Sequence, residues 1–403
     1  MKHNYYFDNA ATTWPKPETV YQFMDSFFRS HGVNPGRSGH TLAIEAEQMI
    51  VSTRRMLAEF FGFTGDANRV VFTQNATDSL NIALSGLLSP GDHVIISQLD
   101  HNAVLRPINH MQRDKQVTVT SVEPESSGYI DPNKIESALT DKTRIIVLNH
   151  ASNVIGTVQD LNTVATLAKD KGLLLVVDSA QTAGVLNIDM ESGIDVLTFT
   201  GHKGLFGPMG IGGMVVAEGV EIAPTRFGGT GVDSISAFQP DAYPHRLEAG
   251  TVSIPGIAGL NAAQRWFAET GAQIASLTDV QNHAECCKQA RDHIHKIEQM
   301  HADKIWQFLQ EHPRIEPMGE RVDQLEYVAT MSFVAKNMDA MQVAEMLDAD
   351  HHICLRGGLH CAPSVHQAFG TAETGGAVRV SPGYFTEDED VDHLLHSIEQ
   401  VLD

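Results

Sequence analysis

Between residues 69 and 200, short apolar runs alternate strictly with longer segments whose apolar residues recur every three or four positions, and few folds accommodate that order. The runs at 69–73, 93–97, 117–122, 144–149, 173–178 and 195–200 predict strands. The segments 78–88, 103–113, 132–139 and 161–171 predict helices. Helices that return the chain between strands imply an α/β architecture with a doubly wound, mainly parallel sheet. Asp131 followed by Pro132 marks one helix start, an N-cap with proline in the first turn.

Beyond residue 260 the rhythm changes. A long helical region over 272–311 precedes a strand near 327–334, a helix near 339–348, strands near 352–356 and 377–381, and a final helix. In that helix Thr386 and Glu389 have capping-box spacing, and Val391, Leu394, Leu395, Ile398 and Leu402 share a face. This stretch reads as a smaller α+β domain. A chain of 403 residues exceeds what one core usually serves. The expected division is a large domain over 15–260 and a small one formed by 1–14 with 261–403.

A formal net charge of −22 repels phosphate backbones and anionic lipid, and no basic run offsets it. Nucleic-acid and membrane partners are therefore not expected. The first residues lack the apolar centre of a signal peptide, and no run reaches the roughly 20 apolar residues of a membrane helix, so a cytoplasmic protein is expected. Cys286, Cys287, Cys354 and Cys361 are too few for a disulfide scaffold and lack a C-x-x-C spacing, so no metal is expected.

In open α/β sheets, ligands bind at the carboxyl ends of strands. Those positions here are rich in polar groups: Asn75-Ala76-Thr77, Asp100-His101-Asn102, Asn149-His150, Asp178-Ser179-Ala180-Gln181 and Thr200-Gly201-His202-Lys203. An aspartate and a lysine on neighbouring strand ends suit pyridoxal 5′-phosphate (PLP), which needs a lysine to carry it and an anion beside its ring nitrogen. Taken singly, Asp178 and Lys203 are ordinary strand-end charges, and a surface ion pair between them would contribute little.

The segments 178–181 and 200–203, in that order and at that separation, resemble the D-x-A-Q and S/T-G-H-K motifs of the class V aminotransferase superfamily, PLP enzymes of fold type I. The resemblance extends over nearly the whole chain. It implies a large domain with a mainly parallel sheet wrapped by helices, beside a smaller C-terminal α+β domain. It further implies that Lys203 bonds the cofactor, Asp178 pairs with the ring nitrogen, His101 stacks on the ring, and Asn153 and Gln181 lie near the phenolic oxygen. The stretch 74–81 resembles the phosphate-binding strand–loop–helix, with amides around Ala76 and Thr77 as donors and Thr200 and His202 as further ligands. Ala76 stands where a threonine is common, so one hydroxyl is absent. The stretch 6–13 resembles the family's opening motif and places Ala11 by the substrate, and 34–40 resembles its glycine-containing active-site segment. Glu248-Ala249-Gly250-Thr251 resembles a segment that reaches the neighbouring subunit's cofactor phosphate, which implies a homodimer sharing its sites through Gly250 and Thr251. The glycine clusters at 210–213 and 228–231 lack G-x-G-x-x-G form and read as turn glycines, not a nicotinamide site.

Arg356-Gly357-Gly358-Leu359-His360-Cys361-Ala362-Pro363 resembles the R-x-G-x-x-C segment of group II cysteine desulfurases and selenocysteine lyases. The implied activity takes sulfur from L-cysteine onto Cys361 as a persulfide and leaves L-alanine. Lys203 would move the Cα proton, Arg379 would grip the substrate carboxylate with its bidentate fork, Asn153 and Arg356 would also bind substrate, and Arg356 and His360 lie close enough in sequence to activate the thiol. Cys354, inside an apolar stretch, and the helical pair Cys286 and Cys287 read as packing residues. L-selenocysteine as substrate, a PLP-dependent β-lyase of a modified cysteine, and a non-enzymatic scaffold on the same fold are the alternatives. A desulfurase also implies a sulfur-acceptor protein, which the sequence does not identify.

Overall fold

The computed structural model describes residues 4–36, 39–233, 235–276 and 282–403; Arg37 and Ser38 of the glycine-containing segment lie outside them. The chain opens with strand β1 (Tyr5–Tyr6) and helices α1 (Glu18–His31) and α2 (Thr41–Phe60). The predicted alternation then follows: β2 (Val70–Thr73), α3 (Ala76–Leu87), β3 (His93–Ser97), α4 (Asn102–Lys115), β4 (Thr118–Val122), α5 (Pro132–Ser137), β5 (Thr143–Asn149), α6 (Leu161–Lys171), β6 (Leu174–Asp178) and β7 (Val196–Thr200). Asp131 caps α5 as expected, accepting from Asn133 N at 2.9 Å.

With β8 (Gly212–Val216) these strands form a seven-stranded sheet in the order β2-β8-β7-β6-β5-β3-β4, parallel except for β8. Alternate residues enter two cores. Val70, Phe72, Ile146, Leu148, Leu175, Val177 and Leu197 pack on one face with α2, α6 and α7 (Ile254–Ile274). Val71, Ile145, Val147, Val176, Val196 and Met214 pack on the other with α3 and α4. Burial of both faces is why these strands read as continuous apolar runs.

Gly212 and Gly213 correct the turn reading of their cluster, since both lie within β8. A Cβ on Gly213 would sit 2.6 Å from the Phe199 ring, and one on Gly212 would sit 2.7 Å from Asn75 Cα. The glycines weaken the apolar signal of the strand, yet they let the start of α3 approach the sheet. The long helical region also divides: α7 ends at Ile274, and α8 (His283–Glu311) begins after residues 277–281, which lie outside the described ones.

The C-terminal part comprises β9 (Ile315–Pro317), β10 (Met331–Ala335), α9 (Ala340–His351), β11 (Ile353–Cys354), β12 (Arg356–Gly358), α10 (Pro363–Ala368), β13 (Ala377–Val380) and α11 (Asp388–Leu402). Antiparallel β12-β13-β10-β9 forms its sheet, and β1 pairs in parallel with β11, bringing the N-terminus to this part. Helix α8 serves both cores, with Cys286–Ile294 buried in one and Ala302–Leu309 in the other. The capping box of α11 falls one residue later than its spacing implied. Glu387 N donates to Asp390 Oδ2 at 3.0 Å, while Thr386 Oγ1 accepts from Gly383 N at 2.9 Å. No helix among the described residues is long and apolar enough to cross a membrane.

Arg54 in α2 meets Glu248 through two bonds of 2.7 Å, both side chains 6% exposed, and Glu248 Oε1 also accepts from Phe72 N on the edge strand β2. Arg54→Met would leave that carboxylate buried without its partner and should lower unfolding free energy by about 3–5 kcal/mol. Urea denaturation should show this, with a smaller loss in Arg54→Met combined with Glu248→Leu.

Candidate active site

Parallel pairing aligns the strand ends at one edge: Asn149 at the end of β5 pairs with Asp178 at the end of β6, and Asp178 with Thr198 in β7. The loops leaving this edge enclose a cavity of about 270 Å3. It gathers Ala11, Ala76, Thr77, His101, Asn153, Asp178, Gln181, Thr200, His202, Lys203, Arg356, Cys361 and Arg379. Gly250 and Thr251 instead line a separate hollow with Gly36 and Glu248. Asn75 and Asn149, two of the polar strand-end residues, and His360, the sequence neighbour of Cys361, also line the cavity.

Asp178 is 5% exposed, and its Oδ1 accepts from Ala180 N at 2.9 Å. Burial raises its carboxyl above the ordinary range, opposed by the Ala180 N–H and the Lys203 cation. Burial, followed by the Arg379 cation, lowers the Lys203 amine to about 8. His101 caps α4 with Nδ1 accepting from Ala103 N at 3.0 Å, so its proton sits on Nε2. Burial, reinforced by Lys203, holds that imidazole down at about 4, and His202 is held at about 4 in the same way.

The opening segment forms one wall. Thr12 Oγ1 and Thr13 N donate to His202 O at 3.0 and 3.1 Å, and Thr13 Oγ1 donates to Lys203 O at 3.0 Å. Gln181 Nε2 donates to Ala10 O at 3.1 Å. Arg379, 2% exposed, donates from Nη2 to Asp8 Oδ1 at 2.6 Å and from Nη1 to Asn153 O at 3.1 Å.

Cys361 is the exposed member of the four cysteines, on a turn where His360 and Cys361 both have positive φ, 50° and 56°. Its carbonyl accepts from Asn102 N at 2.8 Å, the His360 carbonyl accepts from Asn153 Nδ2 at 2.8 Å, and Arg356 Nη2 lies 3.8 Å from Sγ.

PLP has a phosphate, a ring nitrogen and an aldehyde, and the cavity has a counterpart for each. Thr200 Oγ1 and His202 Nδ1 are buried with no partner among the described residues. Ala76 and Thr77 open α3, where no preceding turn accepts from their N–H groups. Together these favour an anionic group. Asp178 offers a carboxylate to a protonated ring nitrogen, and Lys203 offers an amine to an aldehyde.

The family model described as Aminotransferase class-V matches residues 5–394. A probable cysteine desulfurase of Methanothermobacter thermautotrophicus is 31% identical over 407 residues, spanning 100% of this chain and 95% of the relative. The apo structure of a cysteine desulfurase from Thermococcus onnurineus NA1 matches with a TM-score of 0.87 at 27% identity, over 98% of this chain and 94% of the other. The cysteine desulfurase CsdA from Escherichia coli matches with a TM-score of 0.83 at 26% identity, over 99% and 94%.

Only a neutral amine attacks an aldehyde. With Lys203 at about 8, covalent capture of PLP by the apoprotein should speed up about tenfold per pH unit below that value and level off above it. Stopped-flow absorbance would record the profile, and Lys203→Ala should abolish capture.

Proposed function

The chain belongs to the class-V aminotransferase family, and from that premise we propose that it is a PLP-dependent cysteine desulfurase, releasing L-alanine from L-cysteine and holding the sulfur on Cys361 as a persulfide. The placement of Cys361 carries this reading: an exposed thiol at the rim of the cavity that holds Lys203, Asp178 and Arg379.

Bound PLP would supply an electron sink for the substrate Cα. Lys203, with an amine near 8, is suited to moving the Cα proton close to neutral pH. Arg379 holds the substrate α-carboxylate, and Asp8 orients its guanidinium. Asn153 closes the same wall and, through Nδ2, holds the turn that carries Cys361. Neutral His101 lines the cavity, where the reading has its ring stack on the cofactor. Arg356 Nη2 lies 3.8 Å from Sγ and brings a cation beside the sulfur-transfer position. As Sγ bonds to the substrate sulfur, the Cβ–S bond breaks and Cβ takes a proton, so the products balance as alanine and the Cys361 persulfide.

The reading assigns Gly250 and Thr251 to the phosphate end of a second copy's site, in a homodimer. Their hollow stands apart from their own chain's cavity. The loop before them exposes Phe227, Ile235 and Phe238 at 74%, 100% and 85%, an apolar surface that a second copy would cover.

Cys361→Ala should retain PLP and a cysteine-induced spectral change while alanine release falls to background; selenocysteine breakdown should survive better. Undiminished alanine and sulfide production would sink the persulfide route in favour of β-lyase chemistry. Arg379→Lys keeps the charge but loses the fork, worth about 1.5–3 kcal/mol for charged hydrogen bonds, so KM for cysteine should rise roughly 10- to 100-fold. Light scattering should give twice the chain mass, and a fully active monomer would refute shared sites.

A further inference from the structure

The turn that carries Cys361 has a backing that the reaction itself does not use. His360 and Cys361 are consecutive non-glycine residues in the left-handed region, a conformation that persists where the surroundings over-determine it. Behind them runs a chain of side-chain contacts. His360 Nε2 lies 3.2 Å from Arg356 O, His360 Nδ1 lies 3.3 Å from His366 Nε2, and His366 Nδ1 lies 2.8 Å from Thr371 Oγ1.

The carbonyl of Arg356 can only accept, which places the His360 proton on Nε2. His360 Nδ1 then accepts, which places the His366 proton on Nε2 and leaves His366 Nδ1 to accept from the Thr371 hydroxyl. One direction of donation satisfies every member. His360 and His366 are 3% and 0% exposed, and burial holds them down at about 3 and about 4, so both are neutral at pH 7. The far end is anchored, since Thr371 N and Ala372 N donate to His366 O at 2.8 and 3.1 Å. Neither His366 nor Thr371 lines the cavity.

We propose that His366 is a positioning residue for sulfur transfer, holding the 356–361 turn through His360 so that Cys361 Sγ faces the substrate. The proposal rests on the reading of Cys361 as sulfur acceptor. Its relay ties both ends of the turn: His360 bonds back to the carbonyl of Arg356, the residue whose guanidinium sits beside Sγ.

The test compares holoenzymes carrying His366→Leu, His366→Gln and Thr371→Val. His366→Leu should lower kcat by up to on the order of 100-fold, the effect of a small misplacement, with PLP content and KM for cysteine unchanged. Iodoacetamide labelling of Cys361 should change rate in parallel. Glutamine donates and accepts through one amide, so His366→Gln should restore both readouts, and Thr371→Val should show a smaller loss of kcat. Wild-type kcat and labelling in His366→Leu would overturn the proposal, as would a loss that tracks PLP content and resists His366→Gln. Should His366→Leu fail to fold, an unchanged kcat in Thr371→Val would overturn it. Labelling needs no sulfur transfer, so it still reports on the turn if Cys361→Ala proves fully active and the persulfide reading fails.

Discussion

The ion pair between Asp8 and Arg379 is the contact on which the cavity depends. It spans 371 residues of sequence, with the guanidinium 2% exposed. A cation at that depth without a counterion would cost several kcal/mol, so the N-terminal segment has to be present for the strand β13 to carry an arginine at all. The same segment continues from Asp8 through Ala10, whose N–H donates to Ser381 Oγ at 2.9 Å, to Thr12 and Thr13 against His202 and Lys203. One stretch of chain thereby links strand β13, which carries Arg379, to the turn after β7 that carries Lys203.

Burial then sets the chemistry. Five groups at the cavity are drawn toward their neutral forms: Lys203 to about 8, His101 and His202 to about 4, with Asp178 and Arg379 shifted in the same sense. Asp100 behind them, fully buried beside Ser97, is raised to about 7 by desolvation. Compensation inside is pairwise and local, while the chain as a whole carries −22. Small zwitterions with an anionic end fit the arginines at the cavity, and the acidic exterior disfavours large polyanions.

Positioning of the thiol is a separate problem from positioning of the cofactor. Asp178 ends β6, where the sheet's register fixes it, and Lys203 follows the end of β7 in a turn, its carbonyl accepting from Thr13 Oγ1. Cys361 rides on a turn between β12 and α10, with positive φ at two successive residues, and turns hold their shape only through contacts to something else. Asn102, Asn153 and the buried histidine pair supply those contacts from three directions.

The sequence by itself determined what depends on neighbouring residues: the alternation that makes the sheet, the cap at Asp131, and the polar strand ends that hold Asp178, Thr200 and Lys203. Period and capping are local, and the strand-end rule follows from local order. The β8 strand escaped because glycines required for close approach dilute an apolar run, and the α11 cap shifted because Thr386 was engaged by Gly383 instead. Only the tertiary structure decided that Asp8 faces Arg379, that Arg54 is the counterion of Glu248, and that His366 stands behind Cys361. Each of these partnerships is set by where distant segments of chain meet in a low-dielectric interior, and no window of contiguous residues contains both members of the first two. His360 and His366 do share a window, yet their contact depends on a left-handed turn that no propensity for histidine or cysteine foretells.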